Sequence, residues 1–378
     1  MRFHLLVFTW ACGLCGTTRG QEYVRIGLSD FSGVESFNIQ IISGAYQWVD
    51  SHGIVLDTLI DPVSLSIRDN QWEVGNLRPQ QHLILQPILP GSVLRIQSAK
   101  TGYRQMQGIL HFFANSQSRC ILETPLELYL PGVLVAEAGK GHAPGFYEAQ
   151  AIVSRTYTVQ AMRRHQPEGF DLCSDVHCQV YKGISTVNDT ILSAVMSTQD
   201  IILVDHEKKP ITAAFHSNCG GHTQGSEAVW QHALPYLRGV EDPFCLTYPH
   251  SHWERLIETD AWTSWIRAKS GNSATPNQWL PKKRESFLMN REDAIKTAQA
   301  REAFGFRSGF FIALDEGDST RIIGRGFGHG IGMCQEGAMG RAEANHDAWD
   351  ILSHYFYGVT LTTWQEALHK MSSTNQSP

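Results

Sequence analysis

The stretch 126–157, LELYLPGVLVAEAGKGHAPGFYEAQAIVSRTY, carries the pattern around which the rest of the chain is organised. Leu126, Leu130, Val133 and Leu134 recur at the spacing of one apolar helical face. Pro131 and Gly132 interrupt that face, which predicts either a bent helix or two short pieces. The run closes on Val133-Leu134-Val135-Ala136-Glu137, a single carboxylate after four apolar residues. Glu137 is then either a solvated residue at a helix end or an acid held against an apolar wall. Burial disfavours the ionised form, which is how a general acid stays protonated near neutral pH. After a Gly/Pro/His-rich break over 139–145, a second helix is predicted over 147–163. Ala151, Arg155 and Thr158 share one of its faces, which predicts Arg155 turned toward the helix that carries Glu137.

The words LELYLPGV, AE and EAQAIVSRTY resemble the core of the SpoIID family, the stage II sporulation protein D group related to the amidase enhancer LytB. In that family the glutamate of a GVVxxE word is the catalytic acid of a peptidoglycan lytic transglycosylase, and the position falls on Glu137. Two further words follow in the family's order. HSNCGGHT at 216–223 is similar to a cleft-lining HSxCGGxT. GRGFGHGIGMCQEGA at 324–338 is similar to GxGxGHGVGMSQxGA, with Cys334 at the usual serine. The resemblance covers 126–358, with a gap at 253–309. It implies that His216, Ser217, His329 and Gln335, together with Arg155, contact substrate, His329 as a positioning or proton-accepting group. Read without it, the Gly-rich loop lacks the Lys-Ser/Thr pair of a P-loop and no Rossmann unit precedes it.

His165, Cys173, His177 and Cys178 are spaced as a tetrahedral zinc set. Adjacent His177 and Cys178 cannot both face inward from a regular strand, so a turn must carry them. A Cys173–Cys178 disulfide competes with the metal, because exported proteins form such bridges. The family includes zinc-bearing enzymes with ligands in this region, so the resemblance implies a structural zinc. A zinc hydrolase is a weak alternative, since four protein ligands leave no open position for water. Cys219 and Cys245 are candidates for a second bridge, and nothing in the sequence says whether Cys120 and Cys334 meet.

The 378 residues are 42% apolar and 18% charged, as in an ordinary globular chain. A net charge of −6, from 31 basic and 37 acidic residues, argues against nucleic acid as a partner. Arg2 followed by an apolar run and small residues up to Gly20 reads as an export signal. A retained or lipidated anchor is the alternative, although Cys12 and Cys15 lack a lipoprotein context. No later apolar run is long enough for a membrane span. Short β-like runs around Tyr23, Phe37, Val63, Leu83 and Val93, separated by Ser, Gly, Asp and Pro, predict a small antiparallel sheet or partial barrel. A helix is predicted over 187–197, a strand over 201–204 and a surface helix over 291–303. The basic word PKKR at 281–284 reads as a solvated loop.

The expected fold class is therefore α+β, an N-terminal antiparallel β region followed by a mixed α/β SpoIID-type catalytic domain. The segments are a signal at 1–20, the β-rich region at 21–122, the catalytic domain at 123–364 with an insertion near 253–309, and a polar tail at 365–378. The expected protein is exported to the periplasm or cell envelope. It acts on peptidoglycan glycan stripped of stem peptides, downstream of a cell-wall amidase. The competing reading from another class is a glycan-binding activator of such an amidase, with no chemistry of its own.

Overall fold

The computed structural model describes residues 23–59, 62–115, 117–230, 232–270 and 295–367. The expectations for the export signal, the basic word at 281–284 and most of the polar tail lie outside the described residues.

Two sheets face each other in the N-terminal part. A five-stranded sheet runs in the order Gln71–Val74, Val63–Arg68, Ser36–Ser43, Val93–Ser98 and Gly102–Met106. A seven-stranded sheet runs Leu172–Cys173, Tyr23–Gly27, Arg119–Pro125, Ile109–Phe113, His82–Pro87, Tyr46–Asp50 and Val55–Thr58. Side chains alternate across each strand, so inward positions of both sheets meet. Phe37 from the smaller sheet lies 5.6 Å from Phe112 of the larger, and Trp72 lies 5.8 Å from the same ring. The fold class is α+β, as expected.

Strand Arg119–Pro125 passes directly into the first helix, α1 (Leu126–Ala138). A boundary drawn at 122/123 therefore falls inside a strand. Leu172–Cys173 also pairs in parallel with Tyr23–Gly27, so backbone hydrogen bonds join the two parts. One continuous apolar core runs beneath both.

α1 is a single helix that continues through Pro131, not two pieces. Gly132 is required by close approach, because a Cβ there would stand 2.4 Å from the Tyr181 ring. A short loop leads to α2 (Pro144–Ala161), which is buried along almost its whole length. Pro144 opens it at a position where its missing N–H costs no helical hydrogen bond. α3 (Asp189–Ser197) is capped by the Asn188 side chain, which accepts from the Ile191 N–H at 3.0 Å. The predicted strand Ile201–Val204 is present and pairs with Thr360–Thr363.

The segment expected as an insertion contributes to a small lobe with its own core. Strands His252–Glu258, Ser319–Arg325 and Phe311–Asp315 form an antiparallel sheet. α4 (Thr259–Ser270) and α5 (Thr297–Phe304) complete this lobe, and Trp253, Trp262, Ile266, Ile295, Phe306 and Ile322 fill its core. The chain ends its described part with α6 (Gln335–Glu343), α7 (Ala348–Tyr355) and the Thr360–Thr363 strand.

Candidate functional site

Glu137 sits on the last turn of α1 at the wall of a cleft of about 860 Å³. It is half-buried, and removal from water pushes its carboxyl above the ordinary value of 4.5. The Val180 N–H donates to Oε1 at 2.6 Å and partly opposes that shift by favouring the ionised form. Among the described residues that line the cleft, Glu137 is the one carboxylate.

His216, Ser217, His329 and Gln335 line the same cleft although they come from distant parts of the chain. Short strands bring them together, with Phe215–His216 pairing in parallel with Met333–Cys334. Nδ1 of His216 donates to the Ile331 carbonyl at 3.1 Å. Nδ1 of His329 accepts the Ile331 N–H at 3.0 Å. A neutral His329 ring therefore carries its proton on Nε2 and is a donor there. Gln335 at the start of α6 donates toward the Glu137 carbonyl, 3.4 Å away, and so links the Gly-rich word to the end of α1.

Arg155 requires a correction. It does not reach the cleft; its side chain is fully buried against the other end of α1. Nε and Nη2 donate to the two Glu127 carboxylate oxygens at 2.8 Å each, a bidentate fork. Nη1 reaches the Ile201 carbonyl at 3.1 Å, and Nη2 lies 3.3 Å from the Val195 carbonyl. Arg155 thus ties α1, α2, α3 and the Ile201–Val204 strand together. Arg155→Ala leaves Glu127 facing an unfilled hole, and we expect a loss of about 3 kcal/mol, the low end for a broken buried pair because Glu127 keeps some water. Urea unfolding measures it. Arg155→Lys restores little, because an ammonium cannot make the fork.

His165, Cys173, His177 and Cys178 do converge, with one ligand atom from each lying within 4.8 Å of every other. His177 and Cys178 sit in a turn closed by the Cys178 N–H to the Asp175 carbonyl at 3.0 Å. Nε2 of His165 is 3.4 Å from the Cys178 sulfur, while its Nδ1 meets Glu168 at 2.6 Å. A carboxylate behind a ligating imidazole fixes its tautomer and raises its basicity. Nδ1 of His177 is 3.7 Å from the Cys173 sulfur and 3.6 Å from that of Cys178. Both thiols are free. Two sulfurs and two imidazole nitrogens in this arrangement fit a closed tetrahedral zinc site. His177 and Cys178 also touch the cleft, and Val180, the donor to Glu137, lies two residues beyond Cys178.

The profile of one family, described as Stage II sporulation protein (SpoIID), matches residues 114–204. Stage II sporulation protein D of Bacillus amyloliquefaciens is 31% identical over 264 residues, which cover 65% of this chain and 76% of that protein. The chain belongs to the SpoIID family. The corresponding SpoIID protein of Bacillus subtilis strain 168 is 29% identical over 264 residues, covering 65% of this chain and 77% of its own length. A protein of the same strain named amidase enhancer is 28% identical over 292 residues, with 62% of this chain and 40% of that protein covered.

The SpoIID match contains Glu137, Arg155 and the four candidate metal ligands, and it ends before His216. Several cleft residues escaped the sequence reading. Tyr157, Arg164, Trp230 and Arg301 all line the cleft, and Arg301 arrives on α5 from the small lobe. Tyr157 closes the word EAQAIVSRTY without being singled out there, and no local word marks Arg164, Trp230 or Arg301, which belong to ordinary helices or loops. His250 and Glu336 were missed as well; the His250 ring contacts Glu336 at 2.5 Å and Ser217 at 3.4 Å, both through Nδ1. A serine nucleophile relay uses both ring nitrogens, so this trio does not activate Ser217.

Among the described residues no helix is long and apolar enough to cross a membrane.

Proposed function

We propose that this protein is a lytic transglycosylase that cleaves the MurNAc–GlcNAc linkage of peptidoglycan with Glu137 as its general acid. The observation that carries the reading is the half-buried Glu137 carboxyl, alone among the described residues that line the cleft and held above its ordinary pKa by desolvation. Glycosidases that use water or an enzyme nucleophile need a second carboxylate for the far face of the sugar. Transglycosylation needs only one, because the attacking group is the C6 hydroxyl of the same MurNAc. Glu137 protonates the oxygen leaving C1, the C1–O bond breaks and the C6 oxygen closes onto C1. The proton lost by that hydroxyl returns to the Glu137 carboxylate, and no water is consumed. The products are a 1,6-anhydro-MurNAc end and a free GlcNAc 4-hydroxyl.

His329, a donor at Nε2 in its neutral form, positions the sugar and does not compete as the base. We expect His329→Ala to lower kcat by about 10²-fold with a smaller change in KM, as for a lost transition-state donor. An unchanged kcat would return the residue to a scaffolding role. Arg164 and Arg301 supply positive charge at the cleft. That charge suits MurNAc whose stem peptide has been removed, since its lactyl carboxylate is then free. An amidase acting upstream supplies such strands, and the site of action is the cell envelope, reached by export. His165, Cys173, His177 and Cys178 would hold a zinc with four protein ligands, which would leave no position for a reacting water and would supply rigidity to the loop that ends on Val180.

The decisive experiment is digestion of peptide-free glycan strands with mass spectrometry of the ends. Anhydro-MurNAc termini support the reading, and hydrolysed reducing ends or intact strands refute it. One observation favours a second reading, glycan-binding activation of an amidase: the relative named amidase enhancer. Stimulation of a purified amidase by protein that yields no anhydro ends would establish it instead.

A further inference from the structure

Among the described residues the cysteines outside the first metal set are Cys120, Cys219, Cys245 and Cys334, and the last three do not scatter. Cys219, Cys245 and Cys334 meet in the core beside Asp242, and all four side chains are completely buried. The Cys219 sulfur lies 3.4 Å from that of Cys245 and 3.5 Å from Asp242 Oδ2. One ligand atom from each of the four residues lies within 4.8 Å of every other.

Backbone N–H groups aim at two of the three sulfurs. The Gly221 N–H points at the Cys245 sulfur at 3.2 Å, and the Cys219 and Gly337 N–H groups point at the Cys334 sulfur at 3.2 and 3.3 Å. Backbone donors of this kind stabilise thiolate. The Tyr355 hydroxyl donates to Asp242 Oδ2 at 2.7 Å, while Oδ1 has no hydrogen bond and its cation partner, Arg341, is 3.8 Å away. Gly337 keeps this corner open, because a Cβ there would stand 1.9 Å from Asp242 Oδ2. Buried carboxylates pair with cations or coordinate metals, and the contact to Arg341 is an ion pair without a hydrogen bond.

We propose that Cys219, Asp242, Cys245 and Cys334 form a second, closed binding site for a zinc-class divalent cation. A tetrahedral zinc with ordinary bond lengths sets its sulfurs about 3.8 Å apart and sulfur from carboxylate oxygen about 3.5 Å apart. The observed 3.4 and 3.5 Å are close to those separations, whereas a disulfide needs about 2.05 Å. The ligands come from the HSNCGGHT word, from the loop after it and from the Gly-rich word. The cation would therefore lock His216 and Ser217 in register with His329 and Gln335. The site stands independently of the reaction the cleft performs.

Metal analysis of the full chain tests it. Wild-type protein is expected to hold two zinc ions, and folded Cys178→Ser, which breaks the first set, is expected to keep one. Asp242→Asn and Cys334→Ser should each hold one fewer than wild type, and the cobalt-loaded Cys178→Ser protein should show a thiolate-to-cobalt charge-transfer band. Zinc-free Cys178→Ser, or Asp242→Asn and Cys334→Ser with the wild-type zinc content, would overturn the proposal. Peptide mapping of unreduced wild type covers the case in which these variants do not fold. There Cys219, Cys245 and Cys334 are expected to react as free thiols after chelation, and a Cys219–Cys245 bridge would overturn the site.

Discussion

Glu137→Gln is expected to fold, to keep its zinc and its affinity for glycan, and to lose formation of anhydro-MurNAc ends by about 10²–10⁴-fold, the span of a lost general acid. The amide keeps the shape of the carboxyl and its carbonyl still accepts the Val180 N–H, so the substitution removes the transferable proton and little else. No second carboxylate among the described cleft residues stands ready to substitute. The wild-type pH profile carries the same information. Burial stabilises the protonated Glu137, so the acid form persists above pH 4.5, and kcat/KM should fall as pH climbs past that raised value. The variant should lose this limb. Production of anhydro ends by Glu137→Gln at the wild-type rate would remove Glu137 from the chemistry.

Cys178→Ser should lose the metal of the first set and stability on the order of 5 kcal/mol. The binding free energy of a structural zinc is also folding free energy, about 10–16 kcal/mol in isolated finger peptides. Less is expected here, because the seven-stranded sheet already holds Cys173 in place by pairing with Tyr23–Gly27. Activity should fall with the metal, since Val180 lies two residues beyond Cys178 and loses its fixed direction toward Glu137. Metal content, thermal unfolding and anhydro-end formation should therefore move together. A metal-free wild type with Cys173 bonded to Cys178 would refute the zinc assignment.

Period-2 and period-3.6 patterns were enough to find the strands at Tyr23–Gly27, Ser36–Ser43, Val63–Arg68, His82–Pro87 and Val93–Ser98 and both helices of the 126–157 stretch, but not strands such as Tyr46–Asp50, Ile109–Phe113 and Arg119–Pro125. The direction of Arg155 was harder, because periodicity gives a face but not a level along the partner helix. Yet the short loop after α1 forces an antiparallel hairpin. Glu127 and Arg155 each lie about three turns from that loop, so the hairpin sets them side by side. Glu137, next to the loop, is about 15 Å away along α1. Helix lengths and a short loop thus place Glu127 beside Arg155 from the sequence alone. The convergence of Cys334 with Cys219 was not legible there, since it depends on a two-residue parallel pairing, Phe215–His216 with Met333–Cys334, between positions 118 residues apart. Arg301 was equally hidden, because its place in the cleft depends on how α5 is carried by the small lobe.

The strand Tyr23–Gly27 has a consequence for how the chain is born. It lies between Arg119–Pro125 and Leu172–Cys173, so neither neighbour exists when it leaves the ribosome. At about 5–20 residues per second, the first partner emerges roughly 5–20 s later. Through that interval the strand offers two unpaired edges, the condition in which strands associate with wrong partners. The last edge closes only when Cys173, one of the four candidate zinc ligands, comes into place, so arrival of the metal loop and completion of the sheet coincide.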